Sequence, residues 1–148
     1  MRFTINCGLI LSRKFMAFPI DVKYIIETEE YLGVEFPYEF KQKMINQNGG
    51  ELIAEDYDWQ LYPFFDKSDK KRISRTCNHI ILETKQAKEW HNFPENAIAI
   101  ATNGCGDYLI LLPLEKDAKK LSEKIYSWFH EKGEIKEVAK NITELIEE

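Results

Sequence analysis

The segment from Ala97 to Pro113 constrains the fold more than any other part of the chain. Two apolar runs, AIAIAT and DYLILLP, are separated only by the residues Asn-Gly-Cys-Gly. Apolar runs joined by a tight glycine-containing turn are typical of an antiparallel hairpin. The sequence therefore predicts two paired strands here, with Gly104 and Gly106 supplying the positive φ angles that the turn requires.

Cys105 lies between these two glycines and raises the question of a thiol nucleophile. A catalytic thiol needs a base within hydrogen-bond reach, and the sequence places none of the three histidines, His79, His91 and His130, beside it. We therefore expect a turn and no catalytic residue. Cys77 and His79 form a single loose pair, whereas structural zinc normally takes four ligands, so neither a metal nor a cofactor is expected.

Two helices are predicted before the hairpin. The first, in IDVKYIIETEEYLG, has Asp21 as N-cap and Gly33 as C-cap, and its apolar face is formed by Val22, Ile25, Ile26 and Leu32. The second, in VEFPYEFKQKMINQNGG, has Pro37 in its first turn, ends at Asn48-Gly49-Gly50, and has an apolar face formed by Phe36, Phe40, Met44 and Ile45. The short link between them predicts a helical hairpin.

The other segments complete an α+β pattern. DWQLYPFF is predicted as a short strand, DKSDKKRIS as a polar loop or helix entry, and HIILETKQAKEW as a third helix. KIYSWF is predicted as a strand followed by a turn at Lys132-Gly133, then a short strand or loop, and a last helix opening at Asn141 or Thr143. We expect an antiparallel sheet with helices packed on one face, including the N-terminal helical hairpin.

Chain length and cysteine content suggest one intracellular domain. With 148 residues, the chain suits a single domain at 21–148, preceded by a leader or short strand at 1–20, unless translation begins at Met16. Its three cysteines form no CxxC pair, which suits the reducing cytoplasm, and no apolar run is long enough to cross a membrane. The oligomeric state is left open.

The charge is unevenly distributed. Residues 21–58 hold ten acidic residues against three lysines, although the whole chain has a net charge of only −5. Such an acidic region disfavours direct nucleic-acid binding and favours a basic protein surface. The alternative is a solvated acidic face that serves only solubility.

The order of several motifs resembles the SUKH superfamily, whose members are related to a fungal regulator of cell-wall assembly and glucan synthesis. The segments that carry the resemblance are YLGVEFPYEFKQKMINQNGG, WQLYPF, FPENAIAIATNGCGDYLILL, IYSWFHEKGEI and VAKNITELI. Its structural motif residues are Gly33, Pro37, Asn48, Gly49, Gly50, Gly104, Gly106, Asp107 and Tyr108. The chain departs from the usual pattern at Phe36-Pro37, at Cys105 and at Leu112-Pro113.

The resemblance implies a non-catalytic protein-binding function. Bacterial members are mostly immunity proteins that bind and neutralise polymorphic toxins, many of them nucleases, whereas eukaryotic members are regulatory or scaffold proteins. A surface for such a partner is predicted in GGELIAEDYDWQLYPFF, at Glu55, Asp56, Tyr57, Asp58 and Trp59. The alternative is that Trp59 and Tyr62 fill the core and the acidic residues are merely solvated.

Overall fold

The computed structural model describes residues 17–145. Most of the predicted leader at 1–20, and the choice between Met1 and Met16 as the start, lie outside this range. The described helices are α1 (Val22–Leu32), α2 (Tyr38–Asn46), α3 (Lys70–Arg75) and α4 (Ile80–Ala87), followed near the end by a 3₁₀ helix at Ile142–Glu144. The strands are β1 (Gly50–Ala54), β2 (Tyr57–Leu61), β3 (Ile98–Thr102), β4 (Tyr108–Leu111), β5 (Ile125–Phe129) and β6 (Glu134–Ala139).

Within this range the strands form one antiparallel sheet in sequence order, β1-β2-β3-β4-β5-β6. The predicted hairpin is its centre, since every residue of β4 and all but the last of β3 are buried. Helix α4 packs against β3, where the Thr84 hydroxyl accepts a 3.0 Å hydrogen bond from the Ala99 amide. The predicted α+β class and antiparallel sheet are confirmed.

The sheet curls so that its two ends meet. Glu55, in the turn between β1 and β2, forms an ion pair with Lys136 of β6, with 2.9 Å between Oε1 and Nζ. Beside this pair, the Phe129 ring of β5 contacts the rings of Tyr57 and Trp59, with centroids 5.7 and 6.2 Å apart. The curl therefore places the β1–β2 turn against the last two strands.

Helices α1 and α2 are joined through Glu29. Its carboxylate accepts a 2.8 Å hydrogen bond from the Phe36 amide and forms a 3.1 Å ion pair with Lys41 of α2. The predicted caps of α1 are confirmed, because the Asp21 carboxylate accepts from the Lys23 amide and Gly33 has a φ of 75°. These contacts support the predicted helical hairpin.

Two details of the helix predictions are wrong. Val22 and Ile26 are each 45% exposed, and the buried residues of α1 are Tyr24, Ile25 and Thr28, so the helix is rotated relative to the predicted face. Pro37 lies outside the first turn of α2, as its N-cap, with a ψ of 151°. Proline has no side-chain cap acceptor; instead, the Glu123 carboxyl lies against the backbone N–H groups of Tyr38 and Glu39.

Strand β1 was not predicted from the sequence. Glycine and acidic residues are uncommon in strands, and these residues surround the short Leu52–Ala54 core of β1. The segment after β5 is a strand rather than a loop, and Gly133 in the preceding turn has a φ of 70°. The last predicted helix is a single 3₁₀ turn within the described residues, with Asn141 as its N-cap.

Candidate protein-binding site

The Asn48-Gly49-Gly50 motif connects α2 to β1. The buried Asn48 side chain donates a 2.9 Å hydrogen bond to the Phe64 carbonyl and accepts one of 2.8 Å from the Phe64 amide. It therefore pairs with Phe64 as a strand backbone would. The two glycines have φ angles of 122° and 106°, which allow the chain to leave α2 and enter β1 directly. The motif is structural and leaves its side chains no role at a surface.

The turn at residues 103–107 is organised by Asp107. Its buried carboxylate accepts 3.0 Å hydrogen bonds from the Asn103 side chain and the His130 amide, and one oxygen lies 2.8 Å from His130 Nδ1. A Cβ atom at Gly106 would lie 3.0 Å from the Trp90 ring and 3.1 Å from His130 Nδ1, so the close approach requires glycine. His130 and Asp107 together therefore hold the turn against the start of the β5–β6 connection.

Cys105 has a free, exposed thiol on this turn. Its backbone amide donates to Asn103 Oδ1, as expected of a tight turn. The His130 ring packs against the same turn, where its Nδ1 would lie 3.1 Å from a Cβ atom at Gly106. The Nδ1 atom of His130 is nevertheless engaged by Asp107, and no hydrogen bond joins a histidine to the Cys105 thiol within residues 17–145.

His79 is used structurally. Its Nδ1 accepts a 3.3 Å hydrogen bond from the Leu82 amide, which makes it the N-cap of α4, and its ring stacks on Phe65 at 4.4 Å. Burial lowers the pKa of His79 to about 4. The part of the chain that the structure covers brings together no group of three His, Cys, Asp or Glu residues suited to a metal. No helix in that part has the length and apolar character needed to span a bilayer.

The turn between β1 and β2 holds two acidic residues in an unusual conformation. Glu55 and Asp56 are its two central residues, and their φ angles are 53° and 67°. Two-residue hairpin turns with two positive φ angles strongly favour Asn-Gly, because other side chains are strained there. Asp56 is exposed and, within residues 17–145, takes part in no ion pair. The tip of the hairpin therefore carries an exposed carboxylate at a position where glycine would be less strained.

The other predicted partner-binding residues differ in accessibility. Tyr57 is 43% exposed and Asp58 is exposed, and they lie on opposite faces of β2. Trp59 is completely buried, and its Nε1 donates a 2.9 Å hydrogen bond to the Ala54 carbonyl. Trp59 therefore cannot contact a partner in this conformation; it supports the hairpin from inside. Glu55 is partly covered by its ion pair with Lys136.

The outer face of the hairpin contains residues that the sequence analysis did not single out. Glu51 lies on this face beside the predicted residue Asp58, and with Gln60 and residues 102–104 they line an open cavity of about 190 Å³. Ile53, opposite Asp58 across the strand pair, is 51% exposed. Strict alternation in GELIA was the available signal, since Leu52 and Ala54 point inward.

Comparison with known proteins gives one match. The family described as the SMI1 / KNR4 family (SUKH-1) matches residues 19–148, which is nearly the whole chain. Comparisons with curated proteins and with solved structures give no significant match.

Proposed function

The chain belongs to the SMI1 / KNR4 family (SUKH-1), and we propose that it is a non-catalytic immunity protein that binds and neutralises a polymorphic toxin in the cytoplasm. The proposal needs no cofactor, metal or nucleic acid at the binding site. Inhibition follows from occupation of the toxin surface by the hairpin formed by β1 and β2, which we call the acidic hairpin (residues 50–61).

The observation that carries the proposal is the strained acidic turn. Non-glycine residues in the left-handed region cost roughly 1 kcal/mol each, and such outliers are retained where the surrounding structure or the function requires them. The ion pair with Lys136 accounts for Glu55. Asp56 has no comparable partner within the described residues, so its exposed carboxylate at the tip is best explained by an external contact.

Charge and rigidity suit a basic target. Asp56 and Asp58 belong to the excess of acidic residues in 21–58, which would steer a positively charged surface towards the hairpin. A nuclease toxin has such a surface, because its substrate is a polyanion. Tyr57 adds an exposed aromatic ring of the kind that dominates binding interfaces, and the buried Trp59 holds the hairpin in place.

Identification of the partner is the first test. We would capture binding proteins from the native cell lysate at low and high salt and identify them by mass spectrometry. One near-stoichiometric partner with a toxin-like C-terminal domain supports the immunity function. A set of signalling or envelope proteins would instead favour a regulatory or scaffold function, which family membership allows equally.

Charge reversal tests the hairpin itself. The variant Asp56→Lys with Asp58→Lys should associate with the purified toxin domain about tenfold more slowly at low salt, because steering is lost. The variant Glu89→Lys with Glu95→Lys makes the same charge change at two exposed residues between α4 and β3 and should leave the rate within about twofold. Equal rates for the two variants in stopped-flow measurements at low salt would contradict the role of the hairpin.

A further inference from the structure

Strand β1 lies at one edge of the sheet, and none of residues 17–145 pairs as a strand with its outer side. In an antiparallel pair, alternate residues direct their N–H and C=O groups towards the partner strand and the remainder direct them away. The β1–β2 pair closes at Ala54 and Tyr57, with Leu52 opposite Trp59. Counting back from the turn, the backbone groups of Ala54, Leu52 and Gly50 face β2, whereas those of Ile53 and Glu51 face outward.

The other side of β2 confirms this alternation. The Tyr62 amide donates a 2.8 Å hydrogen bond to the Ile100 carbonyl of β3. Even-numbered residues of β2 therefore direct their backbone N–H and C=O groups towards β3, and odd-numbered residues direct theirs towards β1. The outward groups of Glu51 and Ile53 have no hydrogen-bond partner among the described residues. Both residues are exposed, and two such pairs of groups on one strand are about 6.8 Å apart.

The two edges of the sheet differ in character. At the β6 edge, Ile135 is 44% exposed, but it lies among the exposed charged residues Glu134, Lys136 and Glu137. Such a mixture of charges protects an edge strand from pairing with other chains. The β1 edge instead offers one carboxylate, Glu51, and one aliphatic side chain, Ile53, which is 51% exposed. An exposed aliphatic residue beside unpaired backbone groups is a template for a further strand.

We propose that β1 binds an extended segment of the partner as an additional antiparallel strand. The proposal deepens the proposed function, because it assigns the backbone contacts made by the acidic hairpin. An added strand places one residue opposite Ile53 and the second residue after it opposite Glu51, with both side chains on the outer face. The segment recognised therefore has an apolar residue followed two positions later by a lysine or arginine.

Charge selects a basic partner rather than a second copy of this chain. Two β1 strands side by side would bring together two hairpins, each carrying Glu51, Asp56 and Asp58 on or beside the contact. Like charges close together across strands are destabilising. A basic segment instead pairs with Glu51 and approaches Asp58 on the same face of the hairpin.

A peptide titration tests the strand without requiring the toxin. The probe is the peptide Thr-Ile-Thr-Lys-Thr, blocked at both ends, and the matched control has glutamate in place of lysine. Amide hydrogen exchange followed by NMR should slow about tenfold or more at Glu51 and Ile53 when the first peptide saturates the protein. The glutamate peptide should bind about fivefold more weakly.

The variant Ile53→Pro removes the outward donor alone, since the Ile53 amide does not contribute to the β1–β2 pair. Proline is tolerated at such edge positions, and Ile53→Val keeps the amide as the matched control. Ile53→Pro should bind the lysine peptide about five- to tenfold more weakly, and Ile53→Val should bind it as the natural chain does. Glu51→Lys, which leaves the backbone intact, should reverse the preference between the two peptides.

Several results would overturn the strand proposal: absence of peptide binding, protection at β6 instead of β1, equal binding by Ile53→Pro and Ile53→Val, or self-association of the protein through β1. A toxin domain bound equally well by Ile53→Pro and the natural chain would also overturn it, while leaving the immunity function intact. Conversely, protection of Glu51 and Ile53 by the peptide stands even if the captured partner is a regulatory protein.

Discussion

His79 is an unusual residue at the N-cap of a helix. Serine, threonine, aspartate and asparagine are the common N-caps, because their side-chain oxygens accept from the first free amides of the helix. Here the Nδ1 atom of a half-buried imidazole accepts from the Leu82 amide, and only the neutral ring has a lone pair available there. The structure of this helix start therefore depends on the protonation of one residue.

This dependence predicts a loss of stability in mild acid. The folded-state pKa of His79 is lowered from 6.5 to about 4 by burial, so the unfolded chain binds the proton more readily. The stabilisation is complete above about pH 6.5 and is lost as the pH falls from there to about 4. Its size is on the order of 2 kcal/mol, less than the full pKa difference would give, because solvent screens the half-buried ring. Urea unfolding at pH 7 and pH 4.5 measures it.

His79→Asn is the matched control, since asparagine can cap the helix but does not titrate. Its free energy of unfolding should fall less than that of the natural chain between the same two pH values. An equal fall in both proteins would assign the acid sensitivity to the carboxylates instead.

At the scale of single elements, the acidic hairpin combines strain with exposure. Asp56 has a φ of 67°, which glycine adopts without steric cost. We predict that Asp56→Gly raises the free energy of unfolding by up to about 1 kcal/mol, measured by urea denaturation, and slows association with the proposed toxin partner. A variant with lower stability would show that the Asp56 side chain supports the turn itself.

The elements that could be predicted from the sequence are those in which the apolar pattern and the turn residues indicate the same structure. The β3–β4 hairpin was predicted because two long apolar runs border a turn in which Gly104 and Gly106 fit their required φ angles. Strand β1 was missed because its signal amounts to two inward residues, Leu52 and Ala54, and its pairing with β2 supplies the rest. The local sequence carries only a weak signal of strand formation that depends on pairing with another strand.

The candidate site was predictable in composition but not in accessibility. The acidic residues at 55–58 are evident from the sequence, whereas the ion pairs and burial of the residues in this segment depend on distant contacts. Lys136 is 81 residues from Glu55, and the burial of Trp59 depends on Phe129 of β5. The wrong orientation predicted for α1 has the same origin, because Val22 and Ile26 fit an apolar stripe but tertiary packing selects Tyr24 and Thr28 instead.

At the scale of the whole molecule, the Glu55–Lys136 ion pair joins the two ends of the curled sheet. Both side chains are partly exposed, so we expect a coupling energy of about 0.5 kcal/mol in a double-mutant cycle of Glu55→Gln and Lys136→Gln. The coupling should decrease at high salt. The Lys124–Glu137 pair, which joins residues nearer in sequence, provides the matched cycle. A coupling of zero at low salt would leave closure of the sheet to the aromatic contacts alone.

The strand order also has a consequence for how quickly active protein appears. Each strand pairs with the strand that the ribosome has just produced, so the sheet can assemble progressively from β1 onward during translation. Pairing between strands that are neighbours in sequence favours faster folding than pairing between distant strands. Three sets of contacts must wait for the C-terminal part of the chain: the ion pair between residues 55 and 136, the bridge between Glu35 and Lys120, and the packing of α2 on the 3₁₀ helix. Under the proposed immunity function, a sheet that assembles in step with synthesis would shorten the delay before newly made protein can bind a toxin.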